Sequence, residues 1–181
     1  MPPAVPPPIV ILGYSEAAMF VNRDPSPQIG AIISIHGRRE HGIELAIPHR
    51  LDLIFDDVDA VDISDLQALQ ATMRRQRWSR QTGQIEAGPS SEDAASIIEF
   101  ARSIVDIKDL ILCHCGGGMS RAPAAGLICL AVWNGPGSEV DCVRQIRELR
   151  QGAVPHLGLI RFADMLLGRE GNLIAAIKAS K

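Results

Sequence analysis

Cys113-His114-Cys115-Gly116-Gly117-Gly118-Met119-Ser120-Arg121, running on into Ala122-Pro123-Ala124-Ala125-Gly126-Leu127, is the stretch from which the rest of the chain can be read. The apolar run that begins at Asp109 ends in cysteine, histidine, cysteine; three glycines follow, and Arg121 stands six residues past Cys115. A segment apolar on nearly every side comes next, with Pro123 close to its start, where proline suits a first helical turn. Strand, glycine turn and helix N-terminus together make an anion site, because backbone N–H groups converge and the helix dipole adds positive potential. A cysteine at such a place is favoured as its thiolate. An arginine closing the turn offers a planar fork for two phosphate oxygens. The residues point to a thiolate nucleophile in a phosphate cradle.

Working outward, the 181 residues suit one domain with a substantial core, and 46% apolar against 22% charged residues is a soluble globular composition. Aromatic residues are only 4%, so the core must be aliphatic and base-stacking platforms are not expected. A net charge of −3 gives no reason to expect a nucleic-acid partner. No apolar run approaches the roughly 18 residues of a membrane span, so no membrane partner is expected. Cys113, Cys115, Cys129 and Cys142 are too sparse for a disulfide scaffold, and a reducing, cytoplasmic setting is expected. Residues 1–8 carry five prolines and are expected to form a flexible or polyproline-like leader, without the basic and apolar segments of a signal peptide. Residues 9–181 are expected to form the single domain.

Ile9–Leu12, Ala31–Ile35, His49–Phe55 and Asp109–Cys113 read as strands, and Tyr14–Asn22 as a short helix or another strand. Arg38–Ile47 is polar, without clear periodicity. Helices are expected from Ser64 or Asp65 to Arg75, from Ser90 or Ser91 to Val105, over Arg121–Trp133, Ser138–Gln151 and Leu157–Leu167, and from Asn172. Strands mixed with helices, then helices alone, predict an α/β domain whose central, mostly parallel sheet is flanked by helices.

At residues 114–121 the order His, Cys, five residues, Arg, with Gly118 three after the cysteine, resembles the signature of the cysteine-dependent protein tyrosine phosphatases. The wider layout is similar to their dual-specificity and bacterial members, through Ala31–Ile35, the aspartate-ended Leu51–Phe55 and Val154–Ile160. The resemblance implies that Cys115 attacks phosphorus to form a thiophosphate intermediate, and that Arg121 with the amides of Gly116, Gly117, Gly118, Met119 and Ser120 holds the phosphoryl oxygens. His114 would orient the loop and help keep Cys115 ionised. The general acid would lie in the acidic turn after Leu51–Phe55, Asp57 before Asp56, with Asp59 and Asp62 behind them, and Ser64–Pro89 would be an insertion. No metal or other cofactor is implied, since the loop supplies the positive charge. The family usually carries Ser or Thr after the arginine, to help the cysteine leave in the second step; here that position is Ala122, and Ser120 is the nearest hydroxyl.

Three readings of function follow. The first is a phosphate monoester hydrolase, acting on phosphotyrosine in a phosphorylated protein or on a small aryl phosphate. The second, motivated by Ala122, is a low-turnover phosphate-recognition module on the same fold. The third is a rhodanese-like sulfurtransferase, against which His114 and the spacing to Arg121 count. Residues 116–120 include no lysine or arginine, which disfavours highly charged inositol phosphates. Blander readings stand beside these. Cys113, Cys129 and Cys142 fit the core, although Cys113 could also be a redox partner or metal ligand. Arg74, Arg75, Arg77 and Arg80 fit a solvated helix face, or a surface that steers anions. His36, His49 and His156 fit strand-end and loop hydrogen bonding. Tyr14 or Trp78 could stack on a substrate ring.

Overall fold

The computed structural model describes residues 6–38, 40–58 and 88–180. Four strands, β1 (Ile9–Gly13), β2 (Ile29–His36), β3 (His49–Ile54) and β4 (Leu110–Cys115), form one sheet in the order β1-β4-β2-β3. All three pairings are parallel, which fits the unbroken apolar runs of β2 and β4, since central parallel strands are covered on both faces. Among the described residues six helices surround it: α1 (Tyr14–Val21), α2 (Ser91–Ser103), α3 (Arg121–Asn134), α4 (Glu139–Leu149), α5 (Leu157–Leu166) and α6 (Asn172–Ala179). The expected α/β class with a central parallel sheet and flanking helices is the architecture observed. No helix among the described residues is long and apolar enough to cross a membrane.

The two faces of the sheet are unequal. Ile11, Ile33, Ile35, Leu53, Ile111 and Cys113 point into the larger core, where α2, α3 and α5 cover them. α3 sits at its centre, with every residue from Arg121 to Ala131 buried, which explains its lack of a polar face. The other face packs Ile32 and Leu112 against α1 and the 43–47 segment. Tyr14–Val21 is thus a helix and not a strand, covering the thinner side.

β4 runs two residues further than the sequence suggested, so His114 and Cys115 belong to the strand. The glycine turn that follows is braced against the end of β1. Tyr14 N–H donates to Gly116 O at 2.9 Å, and Gly118 has φ 69°. A Cβ at Gly118 would meet the Leu12 carbonyl carbon at 2.6 Å, so glycine is required there both by conformation and by space. Glu16 of α1 accepts from Gly13 N–H at 2.7 Å and pairs with Arg150 at 2.8 Å, while Arg150 reaches Gly117 O at 3.4 Å.

Alternation along β4 puts His114 on the thinner face, opposite Cys113 and Cys115. It lies beside Ser34 in register, with its ring 6.4 Å from that of Tyr14, and neither ring nitrogen hydrogen-bonds to the described residues. Burial, reinforced by the positive charge of Arg50 and His36 against the opposing pull of Asp52, pushes its pKa from 6.5 down to about 4. Between those values the unfolded chain takes up a proton that the folded chain refuses, so stability falls as pH drops through that window. Urea unfolding at pH 7 and pH 4.5 is expected to show a larger loss for the wild type than for His114→Gln, by on the order of 1–3 kcal/mol. Equal losses would show that His114 is not the group responsible.

Candidate active site

Cys115 is the last residue of β4 and Arg121 the first of α3, so the six-residue step between them is the turn that joins sheet to central helix. The sulfur is buried and accepts from Gly118 N–H at 3.2 Å, a hydrogen bond within the loop. Cys113, two residues back on the same face, is fully enclosed. Burial, with the Cys115 charge as a smaller contribution, pushes its thiol up to about 12. Cys113 is therefore a core thiol, as are Cys129 and Cys142, which are also free and buried. No group of metal-ligating side chains occurs among the described residues.

Arg121 is the most constrained polar residue of the site, with its side chain 5% exposed. Nη1 donates to Phe55 O at 3.0 Å and lies 3.0 Å from Glu40 Oε2, and Nη2 donates to Glu40 Oε1 at 3.3 Å. These contacts occupy the Nη1 side of the guanidinium. Nε is buried with no hydrogen-bond partner among the described residues, and Nη2 keeps a second hydrogen beside it. The Nε side of the guanidinium thus makes no hydrogen bond, although Asp57 Oδ2 stands 3.9 Å from Nε.

Glu40, on the connection between β2 and β3, went unnoticed in the sequence. Its carboxylate also accepts from Gly37 N–H at 2.7 Å and lies against Gly116, where a Cβ would come within 2.6 Å of Oε1. Burial acts to raise its pKa, but hydrogen bonds from Arg121 and Gly37 N–H, with the Arg121 charge, outweigh it and hold the carboxyl below its usual range. The one signal in the sequence was an acid three residues after a strand-ending glycine, a faint mark in a segment without periodicity.

Of the aspartates expected to supply an acid, Asp57 is the one that leans over the loop. Its Oδ1 accepts from Ser120 Oγ at 2.7 Å and lies 3.7 Å from His156 Nε2, and its Oδ2 is 3.9 Å from Arg121 Nε. Asp56 lies on the Gly37 side, where a Cβ on Gly37 would meet its Oδ1 at 2.6 Å. Asp59 and Asp62 fall outside the described residues, as do Arg74, Arg75, Arg77, Arg80, Trp78 and the helix expected from Ser64. Ser120 is the N-cap position of α3, yet its hydroxyl makes no cap and serves Asp57 instead. Ala122 is fully buried behind it.

The turn before α5 closes the far side. Val154 N–H donates to Met119 O at 2.9 Å and His156 N–H to Ser120 O at 3.2 Å. His156 also caps α5, its Nδ1 accepting from Leu159 N–H at 3.3 Å, so that in the neutral ring the proton sits on Nε2, the nitrogen nearest Asp57. Cys115, Arg121, Asp57 and Ser120 are thus gathered at one end of β4, while His114 is turned to the opposite face of the sheet.

No protein-family model matches the sequence, and no curated protein matches it. Solved structures do. Tk-PTP in its active form aligns with TM-score 0.53 at 17% identity, over 93% of this chain and 99% of its own. Human DUSP28 aligns with TM-score 0.52 at 14% identity, over 96% and 95%. PTPMT1 aligns with TM-score 0.51 at 12% identity, over 94% and 95%. The α/β fold built around the Cys115 loop is the fold of the tyrosine and dual-specificity phosphatases.

Proposed function

We propose that this protein hydrolyses phosphate monoesters through a cysteinyl-phosphate intermediate, with phosphotyrosine in proteins as its substrate class. The observation that carries the reading is the Nε side of Arg121, which makes no hydrogen bond among the described residues and has the Asp57 carboxylate 3.9 Å away, on a guanidinium whose other side is held by Glu40 and Phe55 O. A buried cation with an N–H open to a hydrogen bond, at the head of a helix beside a glycine turn, suits the tetrahedral oxygens of a phosphoryl group.

In the first step the Cys115 thiolate attacks phosphorus, an S–P bond forms and the ester P–O bond breaks. Asp57 gives its proton to the departing oxygen, and in the second step takes one from the attacking water. His114 carries no charge near neutral pH, so the thiolate's support falls to the loop amides, Arg121 and the α3 dipole. A Cys115 loop with Asp57 standing over it does not suit a sulfurtransferase, which needs no proton donor for an alkoxide or phenoxide leaving group.

A second reading has its own support. Ala122 has no hydroxyl to assist the departing thiolate, and Ser120 Oγ is engaged with Asp57 at 2.7 Å. Breakdown of the intermediate is then the slow step, and the protein approaches a phosphate-recognition module.

Hydrolysis of p-nitrophenyl phosphate tests the first reading. Cys115→Ser is expected to remove activity altogether, and Asp57→Asn to lower kcat by about 10²–10⁴-fold while Asp56→Asn stays near wild type. Activity that survives Cys115→Ser would sink the thiolate mechanism. Rapid mixing tests the second. The wild type should release a burst of p-nitrophenol close to one equivalent and then turn over slowly, and Ala122→Ser should raise the slow phase without enlarging the burst. A linear time course with no burst would place the slow step elsewhere.

A further inference from the structure

The loop opens on one side into a cleft of about 840 Å³, bounded by the outer face of α4 and by the chain that follows it. Met119, the loop residue two before Arg121, forms part of its wall. Val140 and Leu149 supply two more apolar surfaces, 66% and 38% exposed. The core does not explain them, because α4 turns Cys142, Val143 and Ile146 inward. Three arginines, Arg144, Arg147 and Arg150, stand on the same cleft at spacings of three.

The arginines are not equivalent. Arg144 is neutralised by Asp141 at 2.7 Å and by Glu148 at 4.0 Å, and Arg150 pairs with Glu16 at 2.8 Å while touching Gly117 O. Arg147, half-buried, has no ion pair among the described residues. Among the described residues the cleft therefore joins an apolar wall to one cation without an ion pair, and it begins at the Cys115 loop itself. Residues 116–120 have no cationic side chain, so the nearest arginines on this side of the loop are those of α4 and Arg150 just beyond it.

We propose that this cleft is the specificity site for the polypeptide flanking the phosphorylated residue, selecting a segment with an acidic side chain for Arg147 and an apolar one for Val140 and Leu149. The proposal rests on the phosphatase reading above. A small aryl phosphate ends at the loop and leaves such a cleft empty, whereas several residues of extended peptide fill it. A carboxylate meeting a half-buried guanidinium gains affinity in a salt-dependent way, and a like charge is rejected.

Two phosphotyrosine peptides differing only in flanking Glu-Leu or Lys-Leu, with p-nitrophenyl phosphate beside them, provide the test. For the wild type, kcat/KM is expected to favour the acidic peptide by about fivefold to tenfold at low salt, the size of a single partly buried charge contact. Arg147→Glu should erase or reverse that preference and leave p-nitrophenyl phosphate hydrolysis within about twofold; Val140→Asp should weaken both peptides and spare the small substrate. No preference in the wild type, or one that survives Arg147→Glu, would overturn the proposal. So would competition by an inositol polyphosphate that exceeds competition by the acidic peptide, since that would mark a site for phosphate groups. If the wild type hydrolyses none of the three, the phosphatase reading has failed separately. Fluorescence anisotropy of the two labelled phosphopeptides then decides the cleft, with the same dependence on Arg147 supporting it and indifference to Arg147 overturning it.

Discussion

A guanidinium cannot be taken out of water unless its hydrogens find partners, and Arg121 at the head of α3 is 4% exposed. Much of the site is arranged to answer that one charge. Glu40 comes from the β2–β3 connection, Phe55 O from the end of β3, and Asp57 stands two residues further on. The loop amides and the start of α3 are positive as well, so these acceptors balance the cradle without filling it. Of the guanidinium nitrogens, Nε alone is left without a hydrogen bond among the described residues.

The anchor for all this is the unusual apolarity of α3. A helix buried over three turns has no solvent face along which to slide or rotate, and its N-terminus is fixed against the end of β4. The close approach of Gly118 to Leu12 and Gly13 then fixes the height of the turn, and the Val154 and His156 amides pin its other side through Met119 O and Ser120 O. The turn is thus fixed before any ligand arrives. Its one hydroxyl, Ser120 Oγ, is engaged with Asp57.

Legibility in the sequence followed the range of the contacts. Strand, glycine turn and helix at 109–134 were readable because each is a local pattern: an apolar run, a break, an apolar run of helical length. The Ser90 cap was readable too, with Asp93 completing it three residues on. Glu40 was not, because its meaning lies in a partner 81 positions away and nothing periodic surrounds it. Choosing Asp57 over Asp56 was a matter of one residue in a turn, set in space by burial of Phe55 and by Ser120, 63 positions distant. The reach of β4 was underread by two residues, since a histidine and a second cysteine look polar in the sequence and are buried in the sheet.

Glu40 and Phe55 O flank β3, the edge strand whose outward residues His49, Asp52 and Ile54 are exposed. Of the partners that set the direction of the Arg121 side chain, Glu40 is thus 43% exposed at the margin, while Phe55 and the Arg121 backbone belong to the core. Edge segments open more readily than cores, so fraying at this margin would release the cation before it loosened the domain. The contacts that hold the Arg121 side chain and the global stability of the chain are then separable, and sequence change along 37–55 has freedom to alter the first while the helices around α3 preserve the fold.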